Sequence, residues 1–91
     1  MVEDPLEAKI ADALDRHNIT YKRDVFVGGG PNGRMLDFYL PEFGLYIEVK
    51  AFPCERMYRQ VAGMTNILAV IGKQGVDAFG ALLDAIACRS L

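Results

Sequence analysis

Between Arg34 and Lys50, apolar and polar residues alternate strictly on either side of a short turn. Leu36, Phe38 and Leu40 point one way while Asp37 and Tyr39 point the other. Past Pro41-Glu42-Phe43-Gly44, Leu45, Ile47 and Val49 oppose Tyr46, Glu48 and Lys50 in the same manner. A period of two predicts two strands. Proline presets one backbone angle of the turn and glycine admits a positive φ, so the strands join as an antiparallel hairpin. If Leu40 and Leu45 close the loop, Asp37 stands directly opposite Glu48, with Cβ atoms about 4.5–5.5 Å apart.

The flanking segments read as clearly. Asp4 suits a helix N-cap, Pro5 the first helical position, and Glu7 falls three residues past the cap as in a capping box. Leu6, Ile10, Ala13 and Leu14 form the buried stripe, and Asn18 suits a left-handed stop after His17. The stretch 19–27 predicts a strand with Tyr21, Arg23, Val25 and Val27 on one face and Lys22, Asp24 and Phe26 on the other. Gly28 to Gly33 formally fits G-x-G-x-x-G, but that fingerprint must open a helix, and here it leads into a strand. It reads as a hairpin loop, or one whose backbone amides face a polyanion.

A short helix is expected from about Cys54 to Gly63, with Met57, Val61 and Met64 inward and Arg56, Arg59 and Gln60 on another face. Residues 66–71 are an unbroken apolar run, which predicts a strand buried on both faces. After a turn at Gly72 to Gly75, a last helix follows with Val76, Phe79, Leu82, Leu83 and Ile86 as its inner stripe. Helix, three strands, helix, strand, helix gives an α/β fold: one domain over 1–91, a mixed sheet, and helices on both faces. A helix is then expected partly over the Asp37, Glu48 and Lys50 face, and clustered charge in a covered cleft is a candidate site.

Composition narrows the classes. At 91 residues there is room for one small core, and 52% hydrophobic with 24% charged residues is ordinary for a folded domain. The acidic start predicts no signal peptide, and no apolar run approaches the roughly 20 residues of a membrane span. Cys54 and Cys88 lack partners at zinc-ligand spacing and read as a reduced cytoplasmic pair, with a disulfide as the alternative. A net charge of −2 argues against a protein held to nucleic acid by bulk attraction. Yet Lys22, Arg23, Arg34, Lys50, Arg56 and Arg59 crowd the middle of the chain, away from the acidic first fifteen residues, and permit a locally basic face.

Two carboxylates facing each other across a sheet repel by a few tenths to about 1 kcal/mol. A divalent cation that takes oxygen ligands would remove the repulsion. The plain alternative is a surface salt-bridge cluster of Asp37, Glu48 and Lys50, worth little. Taken with the element order, Leu-Asp37, ten residues, then Ile-Glu48-Val-Lys50 resembles the PD-(D/E)XK nuclease superfamily, a restriction-endonuclease-like αβββαβ core. Leu36 stands where the motif's proline would be, and Ala51 where many relatives have glycine.

The resemblance implies that Asp37, Glu48 and the Val49 backbone carbonyl hold Mg²⁺ or Mn²⁺, while Lys50 orients water and offsets charge on the phosphate. It also implies that Glu7 reaches toward the metal, that Gln60 assists, and that Arg34, Arg56 and Arg59 contact DNA. The expected function is a metal-dependent nuclease acting on DNA, of the junction-resolving, replication–repair or phage type. It would work in the cytoplasm, or in a host's cytoplasm for a viral protein, as a homodimer or with a partner protein. The alternatives are a non-catalytic nucleic-acid-binding or assembly module of the same fold, and a structural homodimer with an incidental acidic cluster.

Overall fold

Asp4 starts the first helix as its spacing requires. In the computed structural model, which describes residues 4–28 and 33–89 (the side chains of Gln60, Val61 and Arg89 apart), its Oδ1 accepts from the Leu6 and Glu7 N–H groups at 2.8 and 3.2 Å. Such a cap contributes about 1 kcal/mol. Helix α1 runs Pro5–Arg16, and Asn18 turns the chain away at φ 56°. Strands β1 (Lys22–Val27), β2 (Arg34–Leu40) and β3 (Leu45–Lys50) follow as an antiparallel meander. Helix α2 (Glu55–Val61) crosses over to β4 (Ile67–Ile71), which runs parallel to β3, and α3 (Gly72–Arg89) is the last element among the described residues. The molecule is α/β: a four-stranded mixed sheet in the order β1-β2-β3-β4, with three helices.

The hairpin register is the expected one. Leu40 pairs with Leu45 across the Pro41–Gly44 turn, Gly44 sits at φ 60°, and the Phe43 N–H donates to the Leu40 carbonyl at 3.1 Å. Phe38, Leu40, Ile47, Val49 and Val70 line one sheet face, where they meet Ile10, Ala11, Ala13 and Leu14 of α1 and Val76 and Phe79 of α3 in one buried cluster. Tyr21 closes the near end, edge-on to Phe38 at 5.6 Å. The two long helices touch over this face. His17 Nε2 lies 2.7 Å from Asp84 Oδ1, tying the end of α1 to α3, so the lone histidine has a structural partner. Met57 of α2 is also fully buried, outside that cluster.

Four expectations need correction. The first strand begins at Lys22, because Ile19 and Tyr21 pack against the core before pairing starts. The apolar run at 67–71 is not buried on both faces: β4 is the outermost strand, and only Val70 is fully covered. An unbroken apolar run reads the same at the edge of a sheet as at its centre. In addition, no free turn precedes α3, since Gly72 at φ 69° swings the chain straight from β4 into the helix. The inner stripe of α3 is narrower than expected: Val76 and Phe79 are buried and Leu83 half-buried, while Leu82 and Ile86 are 53% and 54% exposed on the flank. Among the described residues no helix is long and apolar enough to cross a membrane.

Candidate functional site

The strand register brings a row of acids across three neighbouring strands. Arg23 pairs with Phe38 and Val25 with Leu36, which sets Asp24 opposite Asp37. The β2–β3 ladder stops at Phe38 and Ile47, one step short of Asp37 and Glu48. Glu48 in turn pairs with Ala69 of β4. Asp24, Asp37 and Glu48 therefore occupy corresponding positions on three neighbouring strands.

Both ladders are interrupted at this row. Asp24 takes a left-handed backbone at φ 52° in the middle of β1, without a change of register on either side. Aspartate tolerates this conformation better than most residues, but it costs about 1–2 kcal/mol. On the other side of β2, the Val49 N–H donates at 2.7 Å to Asp37 Oδ2 rather than to a backbone carbonyl. The Asp37 side chain thus fills the place where β2 and β3 part. N–H and C=O of one strand residue point to the same side, so the Val49 carbonyl also faces this gap.

Helix α1 completes the group. The Glu7 side chain turns to Arg23, 3.4 Å away, rather than back to its own cap. Carboxylate oxygens of Glu7, Asp24 and Asp37 all lie within 4.8 Å of one another. Arg23 is held over the Phe38 ring at 5.0 Å, which fixes its guanidinium beside the acids.

Crowding shifts protons. Glu48 is only 2% exposed. Burial, together with the hydrogen bond and the negative charge of Asp37, pushes its carboxyl up to about 8, against a smaller downward pull from Lys50. At neutral pH Glu48 is a neutral donor to Asp37, the state expected of two carboxyls that cannot both ionise at contact distance. Glu7 is raised as well, by burial first and by Asp37 next, with the Arg23 hydrogen bond opposing. Lys50, half-buried, lies two residues beyond Glu48 on the same face.

Of the residues singled out in the sequence, Glu7, Asp37, Glu48, Val49 and Lys50 come together here. The α2 group does not stand with them in the same way. Arg59 is engaged with Glu55 at 2.8 Å on its own helix, Arg56 is exposed, and the Gln60 side chain lies outside the described residues. Arg34 closes the β1–β2 hairpin opposite Val27. The loop reading at Gly28 to Gly33 falls largely on residues 29–32, also outside the described set.

Asp24 was missed, although a signal existed. Counted outward from the 28–33 loop, Val27 faces Arg34, and three steps further Asp24 faces Asp37. The same counting found Glu48 across the other loop.

Four carboxyls flanked by Arg23 and Lys50 make an all-oxygen donor set suited to a hard divalent cation. A cleft of about 700 Å³ lies elsewhere, between α1 and α3, where Asp12, Asp15, Asp77 and Asp84 mingle with Lys9 and Arg16. No protein-family model matches the chain, and neither does any curated protein or solved structure.

Proposed function

We propose that this protein is a metal-dependent nuclease of the PD-(D/E)XK type, with a restriction-endonuclease-like core, that hydrolyses DNA phosphodiester bonds. One observation carries the reading: a helix and three strands each deliver a carboxyl to one place, beside a lysine two residues beyond the last. Each acid raises the charging cost of the next, and a bound cation would offset that cost.

In this reading Glu7, Asp24, Asp37 and Glu48, with the Val49 carbonyl, hold Mg²⁺ or Mn²⁺. The ion, when bound, supplies Lewis-acid polarisation of the phosphate and a water of near-neutral pKa. Lys50 sets an ammonium where charge builds on the phosphoryl oxygens. Arg23 braces Glu7 and keeps the cluster from accumulating uncompensated charge. Asp37 is positioned by the Val49 N–H, so its orientation does not depend on the ion. Arg34 and Arg56 are the candidate DNA contacts.

Purified protein is expected to cleave DNA with Mg²⁺ or Mn²⁺ and to be inert in EDTA. Duplex, single-stranded, flapped and four-way substrates belong in the same assay. No cleavage of any of them with either metal would sink the proposal.

Assembly follows from size. A 91-residue nuclease covers little DNA, and we infer a second copy or a partner protein on the flank of α3. There Leu82 and Ile86 border an apolar groove of about 360 Å³ with Leu45, Leu68 and Phe43. Light scattering should give a mass above the monomer's for the homodimer. A clean monomer that cleaves alone at low concentration would exclude both forms of assembly.

A further inference from the structure

The acidic row is bordered by two hydrophobic ones. On one side Tyr39 pairs with Tyr46, their ring centroids 4.5 Å apart and tilted by 36°, and Lys22 pairs with Tyr39 at the exposed end. On the other side Phe26 pairs with Met35, and both are more than half exposed, at 57% and 56%. By strand alternation all of these side chains share the face of Asp37 and Glu48. Each row lies two residues from the acids, so the tyrosines and the Phe26–Met35 pair are about 13 Å apart along the strands.

From this we propose that the site takes DNA with unpaired nucleotides, whose bases stack on the Tyr39–Tyr46 pair and on Phe26 while the backbone between them crosses the acidic row. This deepens the nuclease reading and rests on it for the identity of the polymer. Two arguments choose unpaired strands over duplex. A base inside a duplex has both π-faces covered by its neighbours and cannot use an aromatic platform; an unpaired base can, whatever its sequence.

The second argument is electrostatic. Duplex binding draws mostly on phosphate contacts to lysine and arginine. Here Arg16, Arg23, Arg59 and Lys73 each sit in an ion pair with a carboxylate of the same chain, and the net charge is −2. Four of the ten basic residues are thus engaged, and stacking adds what phosphate contacts to Lys22, Arg34 and Arg56 do not supply. Lys22, beside Tyr39 and exposed, is placed to meet the phosphate between stacked bases.

The test measures binding without metal or turnover. The protein carries Asp37→Asn, which removes one charge from the row, and EDTA is present throughout. Fluorescence anisotropy compares a labelled 12-nucleotide oligothymidylate, an abasic strand with the same number of phosphates, and a blunt 12-base-pair duplex. The oligothymidylate should bind at least about tenfold tighter than the other two, the scale of one stacked base. Tyr39→Leu and Tyr46→Leu should each lose about tenfold on it and nothing on the abasic strand, whereas Tyr→Phe at either position should bind normally. The chain has no tryptophan and four tyrosines, so stacking should also quench the tyrosine emission directly.

Equal binding of the abasic strand or of the duplex overturns the proposal, and that comparison needs no tyrosine variant to fold. Leucine variants that melt like the parent and keep full affinity overturn it too. Stacking-dependent binding by a protein that never cleaves with metal would remove the nuclease reading and leave this one standing. Metal-dependent cleavage of duplex without preferential single-strand binding would do the reverse.

Discussion

Lys50→Ala is expected to lower the cleavage rate by about 10²–10³-fold at saturating Mg²⁺, the loss typical of removing one group aimed at developing charge in a transition state. The protein should still fold, because Lys50 is half-buried at the end of β3 and lies outside the main buried cluster. It should still bind metal, since all four carboxyls remain. One secondary effect is foreseeable. Lys50 pulls the Glu48 carboxyl down against the larger effects of burial and Asp37, so its loss holds the Glu48 proton more tightly and moves metal binding to higher pH. Raising pH and Mg²⁺ together should restore occupancy but not rate. Single-turnover cleavage, alongside the Mg²⁺-induced shift in melting temperature, separates the two. Wild-type rates from Lys50→Ala would mean that the lysine is misassigned.

The metal-free protein should lose stability as pH rises from about 4.5 to 8. The folded chain keeps the Glu48 proton up to about 8, while an unfolded one releases it near 4.5. Throughout that window the folded state binds more protons, so its stability falls with pH; the contribution is full below 4.5 and gone above 8. The loss is on the order of 5 kcal/mol. Glu48→Gln, neutral at every pH, should flatten the slope and leave a more stable protein at pH 8.

Mg²⁺ should reverse the wild-type loss. At a hundredfold excess over Kd it adds about 2.7 kcal/mol, or about 10 °C or more in Tm for a domain of this size. Below pH 8 its binding should release a proton, since Glu48 must ionise to serve as a ligand.

Asp37→Asn completes the comparison. Its amide oxygen can still accept from the Val49 N–H, so the metal-free variant should equal or exceed wild type by a few tenths to about 1 kcal/mol. It should gain much less from Mg²⁺ and should not cleave. A salt-bridge cluster without a metal role gives the opposite pattern: no Mg²⁺ shift, and a small loss on removing Asp37. Thermal melts of the three proteins across pH, with EDTA or Mg²⁺, are the measurement.

What the sequence disclosed follows how locally each feature is determined. The register of the Arg34–Lys50 hairpin was legible because its loop is four residues long and its alternation unbroken, so Leu40–Leu45 closure sets the next two pairs, after which the strands part at Asp37. The left-handed Asn18 and the Asp4 cap were legible for the same reason, since each depends on neighbours a few residues away. Glu7 had two readings, a cap box or a reach toward the acids. Only the packing of α1 against the sheet decides that Arg23 and Asp37 are its neighbours.

Asp24 required the register of a second hairpin, and an aspartate within a strand pattern does not by itself announce a left-handed backbone. The outer position of β4 and the exposure of Leu82 and Ile86 depend on what else covers the sheet, which no periodicity in α3 or β4 encodes.

The two edges of the sheet are chemically unequal. On β1 the outermost residues include Lys22, Arg23 and Asp24, and the left-handed turn at Asp24 breaks the line of backbone groups. On β4, Ile-Leu-Ala-Val-Ile carries no charge and no proline, and no glycine or bulge interrupts it. Charges and distortions are how edges refuse an added strand. By that rule only the β4 end of this sheet is open to an added strand, and any lateral growth would be self-terminating. Two copies joined along β4 would expose only β1 edges, and the eight-stranded result would have no site left for a third.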